Sequence, residues 1–199
     1  TENKKEYRID AGGGYLVFMQ TIAAADPFNF DAKKETIGSI GAFAYFAGLQ
    51  ASIPLSSGNN FLLGGRYQAW SANKIVELGG GSPSFKYALK ITELVLKPGY
   101  EWPTCFGLGF YCALTGVVGK SNSSDVRLGA VQKPPLSTLE YTRFGGGSLL
   151  KSKFSDGFFG YVELEGSSSM GTLIRGDTEK TFSITPGLFV VNGGINLSL

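Results

Sequence analysis

From Ile37 to Ile53 the chain alternates. Ile37, Gly41, Phe43, Tyr45, Ala47, Leu49, Ala51 and Ile53 hold odd positions, while Gly38, Ala42, Ala44, Gly48, Gln50 and Ser52 between them are small or polar. A period of two is that of a β-strand. Pro54-Leu55-Ser56-Ser57-Gly58-Asn59-Asn60 then supplies turn residues, and alternation resumes with Leu63, Tyr67 and Ala69 on one side and Arg66 and Gln68 on the other. The stretch predicts a long β-hairpin, with legs of about 15 residues against the ~5–6 of an ordinary globular strand. A membrane-spanning helix over 37–53 fits less well, because glycine and alanine alternate there with aromatics and because Gln50 and Ser52 interrupt the apolar run.

The same period organises the rest of the chain. Tyr7, Ile9, Ala11, Gly13, Tyr15, Val17 and Met19 form one face of a first strand, against Arg8, Asp10, Gly12, Gly14 and Gln20. The hairpin's second leg runs to about Val76. A fourth strand covers Phe85–Glu101, where the apolar positions change from odd (Phe85, Tyr87, Leu89, Ile91) to even (Leu94, Leu96, Tyr100, Trp102), which predicts a β-bulge near Thr92-Glu93. On that reading Lys86, Lys90, Glu93, Lys97 and Glu101 share one side. A tight turn at 102–104 leads to a fifth strand, Cys105–Gly119, and a sixth runs from Leu136 to Ser152 with a bend at Gly145-Gly146-Gly147. Ser155-Asp156-Gly157 turns into a seventh, setting Phe158, Val162 and Leu164 against Tyr161, Glu163 and Glu165. The eighth runs from Thr181 to Leu199, broken at Asn192-Gly193-Gly194. No helical period with caps runs long enough to compete.

The connections between these strands alternate in length. Long ones (21–35, 78–84, 120–135, 167–180) are predicted at one end and short ones (54–60, 102–104, 153–157) at the other. With an even number of strands, this is the asymmetry of a membrane barrel. The expected fold is therefore all-β, an eight-stranded antiparallel up-and-down transmembrane β-barrel, with residues 1–199 as a single domain.

The polar face sharpens that expectation. Arg8, Asp10, Arg66, Gln68, Glu93, Lys97, Glu101, Glu140, Glu163 and Glu165 lie mid-strand opposite apolar residues. In a small membrane barrel they point into the lumen, where unpaired charge is very costly, so the cations must meet the anions. The set holds three cations and six anions, and Arg143, Lys86 and Lys90 are the candidates to bring it near balance. A satisfied interior of this kind is a plug, since eight strands enclose little beyond side chains. Tyr7, Tyr67, Tyr87, Tyr100, Trp102, Tyr141 and Phe182 fall toward strand ends on the outer face, as an interfacial girdle requires. In a soluble lipocalin-like carrier, the alternative reading, the two faces exchange places: apolar residues line a ligand cavity and the charges meet water.

Composition narrows the chemistry. The net charge is +2 with no dense basic run, which excludes a nucleic-acid surface. Histidine is absent, so no Ser-His-Asp arrangement and no ordinary zinc site is available, and the expectation is no enzyme, no metal and no cofactor. The glycine triplets at 12–14, 79–81 and 145–147 lack the helix and Lys-Ser/Thr of a phosphate loop and read as strand or turn glycine. Glu163 and Glu165 share a face, which reads as part of an internal ion-pair cluster rather than as a catalytic pair. Cys105 and Cys112, placed on one strand, would lie roughly 20 Å apart on opposite faces. That is well beyond the ~4.4–6.8 Å of a disulfide, so two small buried apolar side chains are expected. The polar opening Thr1–Lys5 fits a mature chain whose leader has been removed, and equally a cytosolic one.

With its alternation, loop asymmetry, inward charges and the strictly alternating Ile195-Asn196-Leu197-Ser198-Leu199 end, the chain resembles the small eight-stranded outer-membrane proteins of Gram-negative bacteria. This is the class of the OmpA transmembrane domain, OmpX and OmpW. Members of that class usually end in an aromatic residue, where this chain has Leu199. The resemblance implies residence in the cell outer membrane and contact with membrane lipid or lipopolysaccharide. It also implies a structural role, or one exerted through extracellular loops in adhesion, host or envelope contact, or small-solute passage. It transfers no ligand-binding residue.

Overall fold

The computed structural model describes residues 5–18, 40–76, 85–107, 109–129, 136–175 and 178–199. They form eight strands: β1 Glu6–Phe18, β2 Ile40–Pro54, β3 Asn60–Val76, β4 Phe85–Pro103, β5 Phe110–Gly129, β6 Leu136–Ser155, β7 Phe158–Arg175 and β8 Thr178–Ser198. Each pairs antiparallel with its neighbour in sequence, and β8 returns to β1, so the sheet closes into a barrel. The closing seam runs unbroken from Arg8↔Ser198 to Phe18↔Leu188.

At one end the turns are short. Between β2 and β3, Leu55 N–H donates to Asn59 O at 2.8 Å and Gly58 N–H to Leu55 O at 3.0 Å, with Gly58 at φ 83°. Between β6 and β7, Gly157 takes φ 76°, which its missing Cβ permits. At the other end the strands run on further than their sequence suggests. The segment 120–135, expected as a loop, is strand as far as Gly129, and of 167–180 the described residues 167–175 and 178–180 are strand. These stretches are rich in Ser and carry little apolar alternation, because past the apolar zone the outer face meets water and the two faces no longer contrast. Of the connections read as long, 21–35 and 78–84 lie outside the described residues.

The β-bulge at Thr92-Glu93 is present, but the extra residue belongs to β5. The pairing passes from Thr92↔Ser123 to Glu93↔Ser121, leaving Asn122 over. Within β4 the alternation is unbroken, so Ile91 and Glu93 both face inward and Lys90 is exposed. The shift of apolar parity in β4 therefore marks a change of surroundings: before Thr92, toward the start of the strand, its outer face lies beyond the apolar zone. Nor do the glycine triplets at 12–14 and 145–147 interrupt β1 and β6, while 79–81 lies outside the described residues. Gly12-Gly13-Gly14 of β1 lies beside Gly194-Gly193-Asn192 of β8, and a Cβ on Gly12 would come within 2.7 Å of the Phe46 ring. Glycine here lets the closing strands approach over a filled interior.

Cys105 and Cys112 form a disulfide, with Cα atoms 5.8 Å apart, contrary to the expectation of two separate buried thiols. The fifth strand begins at Phe110, and residues 104–107 with Gly109 are in the turn that precedes it. Thr104 (φ 64°), Gly107 (φ 135°) and Gly109 (φ 88°) all leave the extended region. Cys105 thus sits in the turn between β4 and β5, and Cys112 on β5, instead of both along one strand.

Candidate functional site

The interior is an ionic core, and the barrel wall is inverted relative to a soluble protein. Outward positions carry Phe43, Tyr45 and Leu49, which are 62%, 68% and 63% exposed, together with Leu94, Leu96, Leu114, Val162, Leu164 and Val191. Inward positions carry Arg8, Asp10, Arg66, Glu93, Lys97, Glu101, Arg143, Lys151, Glu163 and Glu165, all buried. The alternation of the strands produces both faces at once, since consecutive side chains leave a sheet on opposite sides.

The charges stack as a column of two ion-paired groups, one at the rim and one deeper. Nearest the short turns, Arg8 donates to Glu6 at 2.5 Å and stacks over Phe159, its Cζ 4.9 Å from the ring centroid. Beside it Lys151 is ion-paired to Glu101, and Asn60 donates to the same carboxylate at 3.0 Å. One level further in, Arg66 is paired with Asp10, donates to Glu163 at 2.8 Å and to the Tyr161 hydroxyl at 2.8 Å, and stacks 4.3 Å over Phe46. Tyr161 in turn donates to Asp10 at 2.6 Å, and Asn196 does so at 3.0 Å. Glu163 is the junction with the next level: it also pairs with Lys97 and accepts from Thr115 at 3.2 Å and Asn192 at 3.3 Å. Lys97 reaches Glu165 at 3.0 Å, and Glu165 pairs with Arg143. Arg143 donates to Glu93 at 2.8 Å through Nη2 and to Ser167 at 3.2 Å, while Tyr141 donates to Glu93 at 2.8 Å.

Among the described residues, five buried cations therefore face five buried anions, with Glu6 partly exposed at the rim. Each ion keeps a partner because a lone charge in this interior would cost several kcal/mol, of order 3–5. The column runs between strands far apart in sequence, so it ties the wall together from within.

Of the ten residues named from sequence, nine lie in this interior: Arg8, Asp10, Arg66, Gln68, Glu93, Lys97, Glu101, Glu163 and Glu165. Gln68 is buried alongside Glu93, its neighbour in the β3–β4 pairing. Glu140 is exposed on the outer side of β6. The inward positions of that strand are odd (Leu139, Arg143, Leu149, Lys151), and Glu140 lies past the apolar zone, where an outward carboxylate meets water. Of the balancing candidates, Arg143 is in the column and Lys90 is exposed; the side chain of Lys86 lies outside the described residues. Sequence reasoning misses Lys151, although it stands at even spacing from Arg143 and so shares its face. Tyr161, Asn192 and Asn196 also line the interior, and their parity with Glu163 and Arg8-paired Ser198 carries the signal. Among the girdle aromatics, Tyr7, Tyr67 and Trp102 face outward, whereas the Tyr141 hydroxyl turns in to Glu93.

No cluster suited to a metal ion is present among the described residues. No protein-family model matches the chain, and no curated protein matches it in sequence. Among solved structures, a major outer membrane protein from Thermus thermophilus superposes over 98% of this chain and 99% of its own length, with a TM-score of 0.55 at 11% identity. At that identity the likeness is one of fold.

Proposed function

We propose that this protein is an integral outer-membrane β-barrel whose lumen is plugged. It would act as a structural element of the envelope, or by presenting the end opposite the short turns to an extracellular partner in adhesion or envelope contact. The observation that carries this reading is the inverted polarity: exposed apolar residues girdle the wall while ten charges are buried within it. Only lipid satisfies such a wall, and a carrier of apolar ligands needs the opposite arrangement. On β4 the outward apolar run from Trp102 to Leu94 spans about nine residues, the length a tilted strand needs to cross a bilayer. The Cys105–Cys112 disulfide fits a compartment outside the reducing cytosol, and the Thermus protein of like fold is described as an outer membrane protein. The filled lumen favours a scaffold over a route for solutes, and the role requires neither cofactor nor catalysis.

Fractionation and gel mobility test the placement. Expressed with a leader for export, the protein is expected in the outer-membrane fraction and, after detergent extraction, to migrate differently on a gel with and without boiling. A product soluble without detergent would overturn the reading. In a planar bilayer the folded barrel is expected to give no steady conductance, and a stable channel would overturn the plug.

A further inference from the structure

Two cavities open at the outer side of the wall, flanking the β5 segment 120–125. One, of about 520 Å³, is bordered by Lys120, Ser121, Asn122, Glu140, Thr142 and Thr172. The other, of about 450 Å³, is bordered by Tyr45, Ser71, Lys90, Thr92 and Asp125. The first lies at the extra residue, Asn122, and the second beside it over β3 and β4. On the β6 side the pairing jumps from Lys120↔Thr142 to Val126↔Ser137, so 121–125 face 138–141 without regular register. The Ser121 hydroxyl offers the backbone a substitute partner: the Tyr141 N–H donates to it at 2.9 Å.

Each cavity is flanked by one cation and one anion. Lys120 and Glu140 are exposed diagonal neighbours across the β5–β6 pairing, with Cβ atoms roughly 7–8 Å apart for such a pair. Lys90 and Asp125 are exposed and directly opposite each other across β4 and β5. Neither couple closes into an ion pair among the described residues. Both cavities stand where the outward apolar run stops. Below them on the same strands lie the exposed Leu94, Leu96, Leu114, Val118, Phe144 and Leu150. A ligand matched to such a place carries a cation and an anion a few ångströms apart, hydrogen-bonding oxygens between them, and an apolar tail running down the wall.

We propose that the two cavities beside the β5 bulge hold zwitterionic lipid head groups of the phosphoethanolamine class. The phosphate sits on Lys120 or Lys90 and the ammonium on Glu140 or Asp125, with the acyl chains against the apolar wall below. The proposal rests on the membrane reading above, and its test separates the two. Folded protein in detergent is mixed with equal amounts of phosphatidylethanolamine and phosphatidylglycerol of matched chains, and the lipids retained are counted by native mass spectrometry. The wild type is expected to keep up to two phosphatidylethanolamine molecules, preferred about fivefold, as two partly exposed ion pairs allow. Lys120→Gln with Glu140→Gln removes one of the two, Lys90→Gln with Asp125→Asn removes the other, and the fourfold variant shows no preference. Lys153→Gln with Asp156→Asn, a salt-bridged couple at the opposite end, leaves retention unchanged. Boiling still shifts the mobility of every variant, since all of these side chains are at the surface. Equal retention of the two lipids by the wild type, or a preference that survives in the fourfold variant, overturns the proposal and leaves the barrel's placement intact. Free phosphoethanolamine competing as well as the intact lipid overturns the lipid source. A wild type that shows no heat shift instead overturns the membrane reading beneath.

Discussion

Replacing Glu163 by Gln tests whether the interior is held by balanced charge. The change preserves shape and volume and removes one negative charge, leaving five buried cations against four anions. Glu163 is fully buried and receives Arg66 at 2.8 Å, Lys97, Thr115 at 3.2 Å and Asn192 at 3.3 Å. A glutamine there turns an amide donor toward groups that are themselves donors. Breaking one side of a buried pair costs about 3–5 kcal/mol. Here the lower figure applies, because Arg66 keeps Asp10 and Lys97 keeps Glu165 at 3.0 Å. About 3 kcal/mol is a factor of roughly 150 in the folding equilibrium. With a urea slope of about 2 kcal/mol/M, the unfolding midpoint falls by about 1.5 M. The assay is urea titration of the folded barrel in detergent micelles, followed by tryptophan fluorescence. Adding Lys97→Met to Glu163→Gln restores the count to four and four, so the double variant should lose about 1–2 kcal/mol less than the sum of the single ones. A midpoint for Glu163→Gln within about 0.3 M of wild type would refute the reasoning, because the column would then be no more than solvated side chains sharing a cavity.

Three further outcomes follow from the same geometry. Cys105→Ser with Cys112→Ser opens a loop of about eight residues, which loop-closure entropy values at about 2.5 kcal/mol; a thiol reagent should label the wild type only after reduction, and the urea midpoint of the double serine variant should drop accordingly. Gly12→Leu drives a side chain into Phe46 and the β8 backbone at the closing seam, so the heat-resistant folded species should be lost from gels; normal folding would show the seam to be looser than described. Leu49→Arg places a charge amid the exposed apolar wall and should cost about 2–4 kcal/mol in lipid vesicles, whereas Ser56→Arg, in the β2–β3 turn, should leave the midpoint unchanged.

How far the sequence reveals the site depends on what surrounds each strand. Between Arg8 and Asp10 on β1, or Glu163 and Glu165 on β7, the alternation of charge with apolar residues is strong enough to place both residues on one face without any structure. It is strong because lipid-facing and lumen-facing positions sit in opposite media. Before Thr92 on β4, past Lys120 on β5 and before Thr142 on β6 the outer medium changes and the contrast disappears. There the parity arguments misplace Glu140 and Lys90, and the strand ends at 120–129 and 167–175 read as loop.

Sequence alone thus determined the all-β class, the strand number and the two faces, because a period of two is a local property of the backbone. Only the closed barrel decided which face is inner, which residue of the Thr92 bulge is extra, that Arg143 and Lys151 bring the charge to five against five, and that Cys105 meets Cys112. Each of these depends on register between strands, and register is fixed by the packing of the whole interior: one position's slip would turn every charge from the column to the wall.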